Sequence, residues 1–252
     1  MAGIEAAIRQ MAGVKGDVRS RMADAVEAII SASWLYREPG FSFADHPELE
    51  AEVNKILADL SDGILSDAQK RTAKALAEME LDDYLGEALQ YAEGETGGET
   101  PLFRLDRHGD HLKELLAGWL IVSSLYALSQ KEVRDRFWAF LGDPFASKEW
   151  RDAGLPAPGW GRGFQRNILN GFVLIGQDAI NRGAQYATLR RLADGGARYY
   201  RTVRNSSYNC PFCDDMTKRI WPIDTVVLPY HPRCVCSAVP VYGDPYARPE
   251  TE

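Results

Sequence analysis

Residues 164–204 read FQRNILNGFVLIGQDAINRGAQYATLRRLADGGARYYRTVR, and the fold turns on a change of period inside them. Ile168, Phe172, Ile175 and Ala179 recur three to four residues apart, the spacing of one buried stripe. They predict a long helix from Phe164 to Ala193. Gly195-Gly196 supplies the stop, because glycine adopts the backbone that ends a helix. Beyond it Tyr199, Arg201 and Val203 alternate with Tyr200, Thr202 and Arg204, the two-residue period of a strand. Arg219 to Ile223 and Val235 to Tyr242 also read as extended. The chain is therefore expected to be mainly α, with a multi-helix N-terminal region, a long helix and a small α+β module, the last two spanning 164–242.

Working outward, residues 1–142 read as helical. The first helix is expected over Ile4 to Tyr36, with Gly13 and Gly16 as points of interruption. Asp45 and Pro47 mark the start of the next. Ser66 reads as the cap of a segment from Asp67 to Ala92, and Gly94 to Pro101 reads as a loop. His111 to Leu141 carries the strongest apolar helical pattern. Residues 143–163, rich in Gly and Pro, read as a linker, and the polar tail 243–252 as loose.

Composition narrows the function. Hydrophobic residues at 45% suffice for a core, and a net charge of −7 argues against coating nucleic acid by bulk charge. The start lacks a basic stretch followed by an apolar run, so no export signal is expected. The apolar stretch Leu115 to Leu128 is shorter than the roughly 20 residues that span a bilayer, so no membrane contact is expected. In a reducing compartment, clustered cysteines favour a metal over disulfides.

All four cysteines lie between positions 210 and 236, as Cys210-Pro211-Phe212-Cys213 and then His231-Pro232-Arg233-Cys234-Val235-Cys236. One turn of a Cys-x-x-Cys can aim both sulfurs at one ion, and His231 and Cys234 repeat that spacing. Cys234 and Cys236 would point the same way from a strand. A tetrahedral zinc takes four such ligands, so four of Cys210, Cys213, His231, Cys234 and Cys236 are expected to hold a structural Zn2+. A metal also suits a module too small to be secure on its own core.

A catalytic zinc would need an open position and a base. Asp214 and Asp215 are the nearest candidates, and a polar turn is the preferred reading of them. Arg201, Arg204, Lys218, Arg219 and Arg233 flank the cluster. They can balance the charge of a zinc thiolate centre, or touch DNA or an acidic protein surface. A zinc deaminase would pair His-x-Glu with Pro-Cys-x-x-Cys. His46-Pro47-Glu48 fits the first part by letter only, and Asn209 stands where the proline should be. His108 and His111, with Asp106 and Asp110, read as a solvated helix face rather than a second metal site.

From Asp178 to Pro240 the chain resembles the phage head morphogenesis family, the minor head proteins related to the Mu F protein. The likeness runs through Asp178, Asn181-Arg182, Tyr200-Arg201, Cys210-Pro-Phe-Cys213 and His231-Pro-Arg-Cys234-Val-Cys236. It departs at Gly176-Gln177-Asp178, where the family often has Arg-Thr-Glu, and at Val235, where it has arginine. The resemblance implies a non-enzymatic minor head protein of a tailed phage or prophage. It would act in procapsid assembly near the portal, contact portal or major capsid protein, and function in DNA packaging or ejection. Its location would be the virion, after assembly in the bacterial cytoplasm. The alternatives are a zinc-dependent enzyme and a DNA-binding module.

Overall fold

A computed structural model describes residues 2–94, 99–142, 147–156, 168–205, 209–229, 234–243 and 245. Among these the chain forms helices α1 (Ala2–Ser33), α2 (Pro47–Glu78), α3 (Leu85–Glu93), α4 (Pro101–Leu125), α5 (Gln130–Gly142), α6 (Lys148–Asp152), α7 (Ile168–Asp194) and α8 (Pro211–Met216). Three strands follow α7: β1 (Tyr199–Val203), β2 (Ile220–Pro222) and β3 (Ser237–Val241). The mainly α architecture ending in a small sheet is the one the periods anticipate. No described helix is long and apolar enough to cross a membrane.

Several boundaries differ from the sequence reading. The first helix runs through Gly13 and Gly16, because Met11, Val14, Val18 and Met22 continue one buried stripe past them. Ser66 caps nothing, since Leu57, Leu60, Ile64 and Ala68 carry the stripe of α2 across it. The apolar pattern over His111 to Leu141 is two helices. The first starts earlier, where Thr100 accepts a hydrogen bond from the Phe103 amide and Pro101 takes the first turn. The second starts after Ala127, whose φ is +53°. There Ser129 and Glu132 exchange hydrogen bonds (Ser129 N to Glu132 Oε2 2.8 Å, Glu132 N to Ser129 Oγ 3.3 Å), a reciprocal cap. The expected linker lies partly outside the described residues, as does most of the tail.

The chain divides into two compact units that cut across the sequence segments. One comprises Lys15–Ser66 and Glu99–Val173. Within it Trp119, Phe140 and Trp150 form an aromatic core, with Phe140 and Trp150 centroids 4.6 Å apart. Ser147 caps α6 at the Trp150 amide, and the Trp150 indole donates to the Pro156 carbonyl at 3.0 Å. Gly118 makes room for that ring, because a Cβ there would lie 2.2 Å from Trp150 Cη2.

The other unit comprises Met1–Val14, Asp67–Gly98 and Leu174–Glu252. Composition marks segments along the chain, whereas this unit is assembled by packing between distant ones. Ala7, Ala75, Leu76, Leu81, Ala88, Ala184 and Ala187 form its first core cluster. Small side chains let the helices approach closely. At Gly183 an added Cβ would sit 2.7 Å from Thr72 Cγ2. A second cluster joins Leu189, Tyr200, Cys213, Leu228, Cys234 and Cys236.

The sheet has the order β2-β1-β3, antiparallel throughout. Tyr200 faces Trp221 on one side and Pro240 on the other. Pro240 is tolerated because β3 is an edge. Tyr200 and Thr202 point inward from the central strand, as the alternation predicts. The Tyr200 hydroxyl donates to the Thr225 carbonyl at 2.8 Å and accepts from the Val227 amide at 3.3 Å. It thereby anchors the segment that returns toward the second cysteine group.

Candidate metal centre

The route to the site begins at Gly196, whose φ of +84° turns the chain from α7 into β1. After β1, Cys210 is the N-cap of α8 and its Sγ accepts from the Cys213 amide at 3.5 Å. Pro211 fits the first helical position because its missing N–H has no partner to lose there. The short helix then places Cys213 inward, 3% exposed. Cys234 and Cys236, also buried, lie on the segment that leads into β3, and their sulfurs gather on the same side as that of Cys213.

The sulfurs of Cys213, Cys234 and Cys236 all lie within 4.8 Å of one another. Cys213 and Cys234 are 3.9 Å apart. A tetrahedron of thiolates with zinc–sulfur bonds of about 2.3 Å has edges of about 3.8 Å, so this separation suits ligands of one ion. Cys210 is half-buried and packs against the same cluster. His231 lies outside the described residues, as does Arg233.

Three buried thiols this close cannot ionise together without a compensating cation. Burial, followed by a hydrogen bond with Cys210 and the charge of Cys234, pushes the Cys213 thiol up to about 12. A hydrogen bond with Cys234, together with burial, holds the Cys236 thiol far above the ordinary range. A divalent ion reverses this preference, since it binds thiolate rather than thiol.

The flanking charges pair with each other. Arg204 bonds to Asp214, and Arg219 bonds to Asp215 at 2.8 Å. The two aspartates suggested as bases are thus held in ion pairs, as are two of the five basic residues suggested for DNA. Arg201 and Lys218 are exposed. Arg204 also lies within electrostatic reach of Cys213 and Cys236, which suits a charge-balancing position.

The remaining histidine candidates sit in structural surroundings. His46 stacks on Phe41, with centroids 5.6 Å apart. His108 packs against Phe172 at 5.6 Å, and its centroid lies 6.4 Å from that of His111. Burial is the main cause that lowers the His108 pKa to about 4. Among the described residues the cysteine group is the one cluster of potential metal ligands.

Sequence reading did not assign the neighbours of the cysteine backbone. On α7, Asn181 Nδ2 donates to the Cys234 carbonyl at 2.5 Å, and Gln185 Nε2 donates to the Cys236 carbonyl at 2.7 Å. Asn181 belongs to the motif order quoted above. Gln185 carries no motif, and only its place one helical turn further on connects it to the site.

Comparison with protein-family models, with curated proteins and with solved structures finds no match in any of the three.

Proposed function

We propose that the chain is a structural minor head protein of a tailed phage or prophage. In this reading its C-terminal module is stapled by zinc and serves head assembly near the portal. The observation that supports the staple is the convergence of Cys213 with Cys234 and Cys236 inside a core of six buried residues. A core that small is the kind a bound metal stabilises. Cys213, Cys234 and Cys236 supply three ligands, and the fourth falls to Cys210 or His231. An all-sulfur or sulfur-rich set selects zinc among the common divalent ions. The order of motifs from Asp178 to Cys236 supports the phage reading. The ion pairs of Asp214 and Asp215 weigh against a base poised beside the metal.

Two measurements test this. Elemental analysis of the purified full chain is expected to give one zinc per chain, lost on chelation; a metal-free protein that stays folded overturns the staple. Mass spectrometry of procapsids and virions, with a pull-down on portal protein, tests the role. Absence from both particles and from the portal fraction refutes it.

A further inference from the structure

Helix α7 presents two side-chain amides, four residues apart on one face, to the backbone of the second cysteine group. Asn181 and Gln185 are each 1% exposed. Each donates to the carbonyl of a different cysteine, at 2.5 Å and 2.7 Å. A carbonyl only accepts, so the donor nitrogen of each amide is the atom that must face it. The Cys234 carbonyl belongs to the 234–235 peptide and the Cys236 carbonyl to the 236–237 peptide, so the two contacts hold alternate peptides of this segment.

Packing alone does not favour this arrangement. Asn181 Oδ1 is buried with no hydrogen-bond partner among the described residues, so the amide satisfies its donor side and leaves its acceptor unmet. A leucine of similar size would remove that unmet acceptor but would also take the donor from the Cys234 carbonyl, so the amide is kept for that contact. What the amide adds is direction: it sets the rotation of the Cys234 peptide, as Gln185 sets that of Cys236. With both carbonyls held, the sulfurs of Cys234 and Cys236 lie together beside that of Cys213.

We infer that Asn181 and Gln185 are positioning residues of the metal centre, which hold the backbone of Cys234 and Cys236 so that both thiolates meet one ion. The inference rests on the metal reading above. Neither residue touches the ion; each acts through the carbonyl of a ligand cysteine. Partners of this kind typically change metal affinity by roughly 10- to 100-fold when removed.

The test uses the full chain with Asn181→Asp, which keeps the shape and loses the donor, and Gln185→Met, which keeps the length. Gln177→Met is the matched control. Gln177 lies on the same helix and makes the same type of bond, from Nε2 to the Met11 carbonyl at 3.0 Å, away from the cysteines. Zinc affinity is read by competition with a chromogenic chelator. Coordination is read from the thiolate-to-cobalt charge-transfer and ligand-field bands of the Co2+ form. Wild type and Gln177→Met are expected to agree, while Gln185→Met and Asn181→Asp bind roughly 10- to 100-fold more weakly with weakened tetrahedral cobalt bands. Should Asn181→Asp fail to fold, Gln185→Met carries the comparison. Wild-type affinity and spectra in Gln185→Met overturn the inference, and so does an equal loss in Gln177→Met. Wild-type protein that binds neither zinc nor cobalt overturns the metal reading itself, a result distinct from both.

Discussion

Metal removal and Cys213→Ser ought to act on the same free energy, and their combination measures whether they do. Three of the six buried residues in the C-terminal cluster are cysteines, so the ion would tie together half of that core. At free zinc about 100 times its dissociation constant, binding stabilises the folded state by about 2.7 kcal/mol. For a unit of this size that corresponds to a rise in Tm of roughly 6–12 °C. Without metal, Cys213→Ser buries a hydroxyl where a thiol sat, at a cost of about 1–2 kcal/mol. With zinc present the variant also forfeits most of the 2.7 kcal/mol.

The assay is thermal unfolding of both proteins, each with zinc and with chelator, alongside hydrogen exchange. Chelation should lower the wild-type Tm by the full amount and the variant's by less than half of it. Exchange should rise in β1, in β3 and in the α7 turn that carries Asn181 and Gln185. Helices α4 and α5 and residues 15–66 should keep their protection. Equal chelator shifts in the two proteins would show that Cys213 is not a ligand. No shift in the wild type would refute the staple.

Two further outcomes test the aromatic unit. Gly118→Ala puts a Cβ against the Trp150 ring and should cost about 1–3 kcal/mol in denaturant unfolding; a loss below ~0.5 kcal/mol would show that the ring yields freely. His108 stays neutral in the fold down to about 4, while the unfolded chain protonates near the ordinary 6.5. Its contribution is therefore complete above pH 6.5 and is lost as pH falls toward 4. After allowance for its partial exposure the loss is about 1–2 kcal/mol. His108→Leu should flatten that part of the stability profile, and an unchanged slope would refute the assignment.

The C-terminal elements were legible because each has an unbroken local signal. The stripe Ile168, Phe172, Ile175 and Ala179 is buried throughout, and Tyr200 and Thr202 face inward as their alternation requires. The cysteine spacing located the cluster and left its membership open among five groups; of these, packing brings Cys213, Cys234 and Cys236 together. Helix ends upstream were less legible. Ser66 has a capping side chain, yet a stripe already running through it decides the outcome, and the reciprocal cap at Ser129 and Glu132 lay hidden inside one continuous apolar pattern. The compact units were not legible at all, since each is built from segments far apart in the chain.

The polar residues of α7 have a common logic that no single position reveals. Arg182 is 4% exposed and donates to the Ala92 and Gly94 carbonyls at 3.3 Å and 2.8 Å. Those carbonyls belong to the end of α3, where no further helical amide can reach them. Asn181 and Gln185 do the same for Cys234 and Cys236, which lie just before β3. Along one turn and a half, the helix thus supplies donors to backbone that regular structure leaves unserved. The cysteine segment then has two restraints of different kinds: its carbonyls are held by α7 and its sulfurs by the metal. Either alone leaves the peptide free to turn about the other. Together they define one conformation, which is why a helix that never touches the ion belongs to the metal centre.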